Sequence, residues 1–242
     1  MLMYDNRKYL IHASFVGEND LLRPASILDL FQGEASVHAD SLGLGFKELF
    51  KRDLLWIVNY QEIDIVGKLP EYCEEVMVST WPHPKKRLDY VREYEIKDME
   101  GNTLVTGVAS WYIISDSTRR LIKDDSVKFV GEYYEHNNYP DFRRKKLDLK
   151  CDQVIDTFKY KVEYTDLDHN GHMNNAKYLD VIYNMHKGFT LKDIKKICIS
   201  FNHEIKLGEI IEVSYFKNQD NDSCYIGMVN GIDCFDVVIK EK

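Results

Sequence analysis

Tyr160-Lys-Val-Glu-Tyr-Thr-Asp-Leu-Asp-His-Asn-Gly-His-Met-Asn-Asn-Ala-Lys-Tyr-Leu-Asp180 restates, at a constant offset of 151 residues, the pattern of Tyr9-Leu-Ile-His-Ala-Ser-Phe-Val-Gly-Glu-Asn-Asp-Leu-Leu-Arg-Pro-Ala-Ser-Ile-Leu-Asp29. In the earlier copy Tyr9, Ile11 and Ala13 alternate with Leu10, His12 and Ser14. In the later one Tyr160, Val162 and Tyr164 alternate with Lys159, Lys161 and Glu163. A period of two predicts a strand in each. A polar turn follows, Gly17-Glu-Asn-Asp20 and Asp168-His-Asn-Gly171, and then a helical period. The first helix, from about Pro24, sets Leu28, Phe31 and Ala35 on one face. The second, from about Asn175, does the same with Leu179, Ile182 and Tyr183. Both open on Ala-x-x-Leu-Asp, and Pro24 and Asn174 are start signals for them.

Beyond each helix the period returns to two. The first half predicts strands over about 55–65, 74–82, 87–98 and 103–115, with a turn at Glu100-Gly101. The second half predicts them over about 195–205, 209–217, 222–229 and 232–240, with turns at Asn218-Gln-Asp-Asn221 and Asn230-Gly231. Short turns between consecutive strands require antiparallel pairing. The charged stretch between the halves, with Arg143-Arg-Lys-Lys146, reads as a linker that crosses the outside. The expected organisation is therefore a unit over 1–130, a linker over 131–155 and a second unit over 156–242. Each unit is α+β, with one apolar helix face buried on one alternating sheet face.

Composition narrows the function. The 242 residues carry a net charge of −8, which speaks against nucleic-acid binding, since phosphate contacts need a basic surface. No apolar run approaches the roughly 20 residues of a membrane span. The opening Met1–Lys8 has no apolar stretch behind its charges, so no signal peptide and a cytoplasmic location are expected. Five scattered cysteines (Cys73, Cys151, Cys198, Cys224, Cys234), without a C-x-x-C pair, read as free thiols rather than a disulfide framework or zinc site.

Chemistry concentrates in Asp166–Asn175. A calcium loop is one reading of Asp166, Asp168, Asn170 and Gly171, but the bidentate Glu that it requires at the twelfth position is Lys177. A transition-metal site on His169 and His172 is a second, and the H-x-x-H spacing fits no common helical metal motif. Turn and cap duty is a third, and it suits Asp166, Gly171 and Asn174. The repeat separates these duties. Asn170 answers to Asn19, whereas Asp168 answers to Gly17 and His172 to Leu21. The first copy makes its turn without the carboxylate and the imidazole, so these two additions point to function.

The segment Asp166-Leu-Asp168-x-Asn170-x-His172-x-Asn174-Asn175-x-Lys177-Tyr178 resembles the signature of the plant and bacterial acyl-ACP thioesterases. Phe31-Gln32 with Ala35 and His38, and Ser110-Trp111 followed by Thr118-Arg119-Arg120, resemble further family positions. The resemblance implies a tandem (double) hotdog, each unit a long helix wrapped by a curved antiparallel sheet. It implies hydrolysis of a fatty acyl–acyl carrier protein thioester, with no cofactor or metal. It also implies a further carboxylate on a strand after the second helix, here Glu204, while the family's neighbouring cysteine is Ile205. A Cys-His-Asn mechanism is therefore disfavoured.

The catalytic set so implied is Asp168, Asn170, His172 and Glu204, one site in the second unit. His172 and Glu204 are candidates for activating water, and Asn170 for holding the carbonyl or the water. Asp168 either orients His172 or attacks the thioester itself. Backbone N–H groups near Asn175 offer an oxyanion site. The first unit is expected to hold the acyl chain, with Leu30, Phe31 and Val37 as lining candidates. Lys85-Lys86-Arg87, Arg119-Arg120 and Arg143-Arg-Lys-Lys146 are candidates for docking an acidic carrier protein. The rival readings are a hotdog acyl-CoA thioesterase, a non-catalytic acyl-binding protein and a hotdog dehydratase. A double unit is compatible with a monomer, and a homodimer follows the family.

Overall fold

The computed structural model describes residues 2–123, 127–150, 153–185 and 193–242. Cys151 lies outside them. Strand β1 (Leu2–Met3) is followed by β2 (Asp5–Leu10), helix α1 (Pro24–Ser41) and a short helix α2 (Phe46–Phe50). Four long strands come next: β3 (Leu54–Ile65), β4 (Glu75–Pro82), β5 (Tyr90–Asp98) and β6 (Thr103–Ser115). After β7 (Glu132–Tyr133) the second half repeats the plan with β8 (Asp156–Lys161), α3 (Lys177–Met185), β9 (Ile194–Phe201), β10 (Ile210–Lys217), β11 (Ser223–Val229) and β12 (Ile232–Glu241).

Ten of these strands form one antiparallel sheet in the order β2-β4-β5-β6-β3-β9-β12-β11-β10-β8. The order reads the same from either edge. In each half the strand before the helix is outermost, and the first strand after it lies at the centre. The halves meet at the β3–β9 seam, from Tyr60 opposite Ser200 to Asp64 opposite Lys196. This is the duplicated α+β, tandem hotdog architecture.

The helices share one face of the sheet and one core. Ile27, Leu28 and Phe31 of α1 belong to the same buried cluster as Leu179, Val181 and Ile182 of α3. Pro24 begins α1 because its missing N–H costs nothing in the first turn. Gly43, at φ 69°, ends it: Gly43 N–H donates to Asp40 O (3.0 Å) and Leu44 N–H to Ala39 O (2.9 Å). Asn230 and Gly231, both at positive φ, turn β11 back into β12. Between the halves, Tyr139 O–H donates to Asp64 Oδ2 (2.8 Å), and Leu147 and Leu149 pack on Phe216 and Val238. The connecting segment thus runs over the sheet face opposite the helices.

Five boundaries differ from the periodicity. The opening strands stop at Leu10 and Lys161, because the chain leaves the sheet edge there and winds into single 3₁₀ turns, Ala13–Phe15 and Tyr164–Asp166. The strand expected from 87 starts at Tyr90: Lys86 and Asp89 exchange backbone hydrogen bonds around Arg87 at φ 58°. The second helix starts at Lys177, since Asn174 Oδ1 takes the Ala176 N–H (2.9 Å) and holds a turn at Asn175. The strand expected to reach 205 ends at Phe201, where Asn202 and His203 both donate to Cys234 O and bend the chain away. Glu204 therefore sits on a loop, not on a strand.

Candidate active site

The two copies of the polar turn have matching backbones. In the first, Gly17 N–H donates to Leu21 O (3.0 Å) and Asp20 N–H to Gly17 O (3.1 Å). In the second, Asp168 N–H donates to His172 O (2.8 Å) and Gly171 N–H to Asp168 O (3.1 Å). Asp20 (φ 58°) and Gly171 (φ 78°) fill the same left-handed position. Each turn then pairs with a second loop, by Leu22 N–H to Pro70 O in one half and Met173 N–H to Ile205 O in the other. Pro70 thus corresponds to Ile205, and the residue before it, Leu69, corresponds to Glu204. The first-half positions are Gly17, Asn19, Leu21 and Leu69; the second-half ones are Asp168, Asn170, His172 and Glu204.

In the second half these four side chains form two contacts, Asp168 with Asn170 and His172 with Glu204, linked through the backbone of His172. Asp168 Oδ1 accepts the backbone N–H of Asn170 (2.8 Å) and of His172 (3.3 Å), and Oδ2 accepts Asn170 Nδ2 (3.4 Å). The carboxylate therefore fixes the turn. It meets the backbone of His172, not its ring. The His172 imidazole, largely covered, has Nε2 3.5 Å from Glu204 Oε2. The other Glu204 oxygen pairs with Arg119 Nη2, from the loop after β6 in the first half. Arg119 is held in turn by Asp116, 3.2 Å away. Sequence reasoning placed Arg119 in a docking patch. Its partner lies 85 residues away in sequence, and no local pattern announces it.

His169 points out of this set and meets Phe46 of α2 edge-on, with ring centroids 4.2 Å apart. Among the described residues no three His, Cys, Asp or Glu side chains are placed to share a metal ion. Burial pushes the Cys198 thiol up to about 12 and raises that of Cys234, so both stay protonated and unreactive near neutral pH. Asp166 takes the structural part expected of it, accepting from Tyr160 O–H (2.9 Å) and Glu163 N–H (2.9 Å).

The lining candidates fare differently. Leu30 and Phe31 are core residues, and Val37, at 37% exposed, lies on the outer face of α1. The first half does contain a cavity of about 70 Å³ between α1 and the sheet. Its walls are other residues, among them Ala35, Ala39, Trp56 and Trp111.

Residues 3–129 match the acyl-ACP thioesterase N-terminal domain, and residues 150–233 match the acyl-ACP thioesterase C-terminal domain. The chain belongs to the acyl-ACP thioesterase family. Among curated relatives, the chloroplastic palmitoyl-acyl carrier protein thioesterase of Arabidopsis thaliana is 28% identical over 185 residues, 72% of this chain and 45% of that one. Oleoyl-acyl carrier protein thioesterase 1 of the same plant is 24% identical over 233 residues, 89% of this chain and 60% of that one. The chain spans about half the length of the curated relatives it matches. The fold agrees with the solved acyl-ACP thioesterase of Bacteroides thetaiotaomicron, with a TM-score of 0.86 at 19% identity over 99% and 98% of the two chains. It also agrees with the 12:0-ACP thioesterase of Umbellularia californica, with a TM-score of 0.83 at 18% identity over 99% and 97%.

Within this acyl-ACP thioesterase family member, the turn formed around Asp168, Asn170 and His172 lies in the stretch that matches the C-terminal family domain. Ile205 stands beside Glu204 fully buried, so no thiol is available at that place. No helix among the described residues is long and apolar enough to cross a membrane.

Proposed function

We propose that the chain hydrolyses the thioester of a fatty acyl–acyl carrier protein, releasing the free fatty acid at the Asp168/Asn170/His172/Glu204 site. One observation carries the reading: at the matching turn and loop, only the second half has an imidazole–carboxylate pair, and the first half has Leu21 and Leu69 at those positions. The turn itself does not need the pair, because the first copy makes the same backbone bonds without it.

The division of labour follows from the contacts. Both Asp168 oxygens are occupied in holding the turn, which favours orientation over attack and leaves the attack to water. Glu204, open to solvent and paired with His172, takes the water proton either directly or through the imidazole. The second N–H of the Asn170 amide is free for the thioester oxygen. So is the backbone N–H of Asn175, which donates to no group among the described residues. Collapse of the tetrahedral intermediate expels the thiolate of the carrier arm, a good leaving group with a pKa near ~8.5. The proton taken from water then passes to that thiolate.

The unit over 1–130 is proposed to brace the site and hold the acyl chain, and the unit over 156–242 to carry the chemistry, with 131–155 as the linker. Four cysteines among the described residues, none of them in a disulfide, favour a reducing compartment such as the cytoplasm. The reading is tested by presenting one acyl group on acyl carrier protein and on coenzyme A. At least about tenfold higher kcat/KM on the carrier protein is expected, a preference of about 1.4 kcal/mol. Equal or reversed values would move the chain to the acyl-CoA reading, and acyl binding without release would make it a binding protein.

Arg119 is proposed as a positioning residue. Its pair with Glu204 is half exposed and worth no more than about 1 kcal/mol of stability. Displacing a catalytic carboxylate by an ångström costs a factor of ~10–100 in rate. Arg119→Ala should lower kcat by roughly that factor with an unchanged melting temperature, and Arg119→Lys should recover part of it. A rise in KM for acyl carrier protein at constant kcat would restore the docking assignment.

A further inference from the structure

The first-half cavity has an unusual wall. Its surroundings are mostly apolar or aromatic (Ala35, Ala39, Trp56, Tyr90, Trp111, Phe129), with Ser36 of α1 as a neutral polar residue and Arg92 on β5 as the one charged residue. Arg92 is 6% exposed. Its Nη1 donates to His38 Nδ1 (3.0 Å) and Thr80 Oγ1 (3.2 Å), and the guanidinium lies 5.9 Å from the Phe129 ring centroid. None of these groups carries a negative charge. Burial, with the Arg92 cation beside it, pushes the His38 pKa down to about 4, so the ring is a neutral acceptor. Among the described residues no carboxylate forms an ion pair with Arg92; Asp5 and Glu34 act on it only at longer range. Its Nε and Nη2 donors have no hydrogen-bond partner there either.

A buried cation without a counter-ion is costly to maintain, and its cost falls when an anion arrives. The unused donors of a guanidinium match the two oxygens of a carboxylate. We infer that this cavity is a binding site for the carboxylate end of an aliphatic acid, with Arg92 as the anion partner and the aromatic walls around the first methylenes. A volume of 70 Å³ corresponds to about five water-sized positions, enough for the carboxylate and two or three carbons. A longer chain continues through the open side.

The same end group has two sources, a free fatty acid or the far end of a carrier-bound dicarboxylic chain. Calorimetric titration of the full chain with octanoate and with 1-octanol reads the site directly and independently of hydrolysis. Octanoate is expected to bind at least about tenfold more tightly. Arg92→Met should abolish the difference in a protein that still melts cooperatively, and Arg92→Lys should keep part of it. Equal binding of acid and alcohol by the unaltered chain would overturn the site, as would an undiminished preference in Arg92→Met. The sources separate when the carrier thioesters of octanedioic and octanoic acid are compared, an arm that rests on the proposed hydrolysis. A lower KM for the dicarboxylic chain, lost in Arg92→Met, assigns the carrier-bound end. Equal KM values together with the octanoate preference assign the free acid.

Discussion

His172→Ala is expected to reduce turnover by a factor of ~10²–10⁴, the usual worth of a positioned acid–base group, and to leave the melting temperature within a few degrees. The ring is not a core element. Its recorded partner is a solvent-open carboxylate 3.5 Å away, and the strand-like bridge at this residue runs through the backbone to Lys206. Removing the imidazole therefore leaves the turn intact, because Asp168 binds the His172 N–H and not its side chain. Glu204→Gln keeps the shape and the contact with Arg119 but cannot take a proton. It should fall as far as His172→Ala. The double variant should be little worse than either single one if the two residues act as a unit. Rates close to wild type in His172→Ala and Glu204→Gln would remove the site from this loop. A free-energy cost that simply doubled in the double variant would mean that they work separately.

The second large effect concerns stability. Gly107 on β6 lies under the ring of Phe31: a Cβ there would come 2.4 Å from Phe31 Cε2. Phe31 is fully buried and stacks on Tyr94, with centroids 4.6 Å apart. The absence of a side chain lets α1 lie close to the sheet, and a methyl group has nowhere to go unless the ring moves. Gly107→Val should cost about 3 kcal/mol, at the upper end for overpacking, or ~6–12 °C for a chain of this size. The companion change Phe31→Leu in the Gly107→Val background should recover part of that loss, because the two sites share one volume. An unchanged melting temperature in Gly107→Val would mean that helix and sheet are not in contact here.

What the residues disclosed in advance divides along physical lines. The constant offset from Tyr9 to Asp29 exposed the duplication, because both turns need the same backbone bonds and the same left-handed position, filled by Asp20 and Gly171. The strands were legible wherever the period of two ran between turn signals such as Asn230-Gly231. The ends were not. The alternation through Ala13 and Tyr164 persists into 3₁₀ turns, and the side-chain bond from Asn174 delays α3 beyond the point where apolar spacing starts it. The match of Glu204 to Leu69 was hidden because the offset falls from 151 to 135 between His172 and Glu204. The first half is longer there, with an 18-residue α1 and the extra helix α2. Arg119 and Arg92 were illegible for another reason. A charged side chain in a sequence looks solvated, and only tertiary contacts reveal that one binds a distant carboxylate and the other is buried without one.

The β3–β9 seam has a consequence for how the chain is made. On a ribosome β3 emerges long before β9. About 130 residues separate them, so at ~5–20 residues per second the inner edge of the first half stays open for on the order of ten seconds. An unpaired edge of this length invites pairing with a neighbouring nascent chain. Glu62 and Asp64 stand on that edge, and their charges repel an identical strand approaching in the same register. When β9 arrives, Lys196 takes both carboxylates, at 2.5 Å from Glu62 and 3.3 Å from Asp64. The same two acids that keep strangers away during synthesis thus become the recognition mark for the one strand that belongs there.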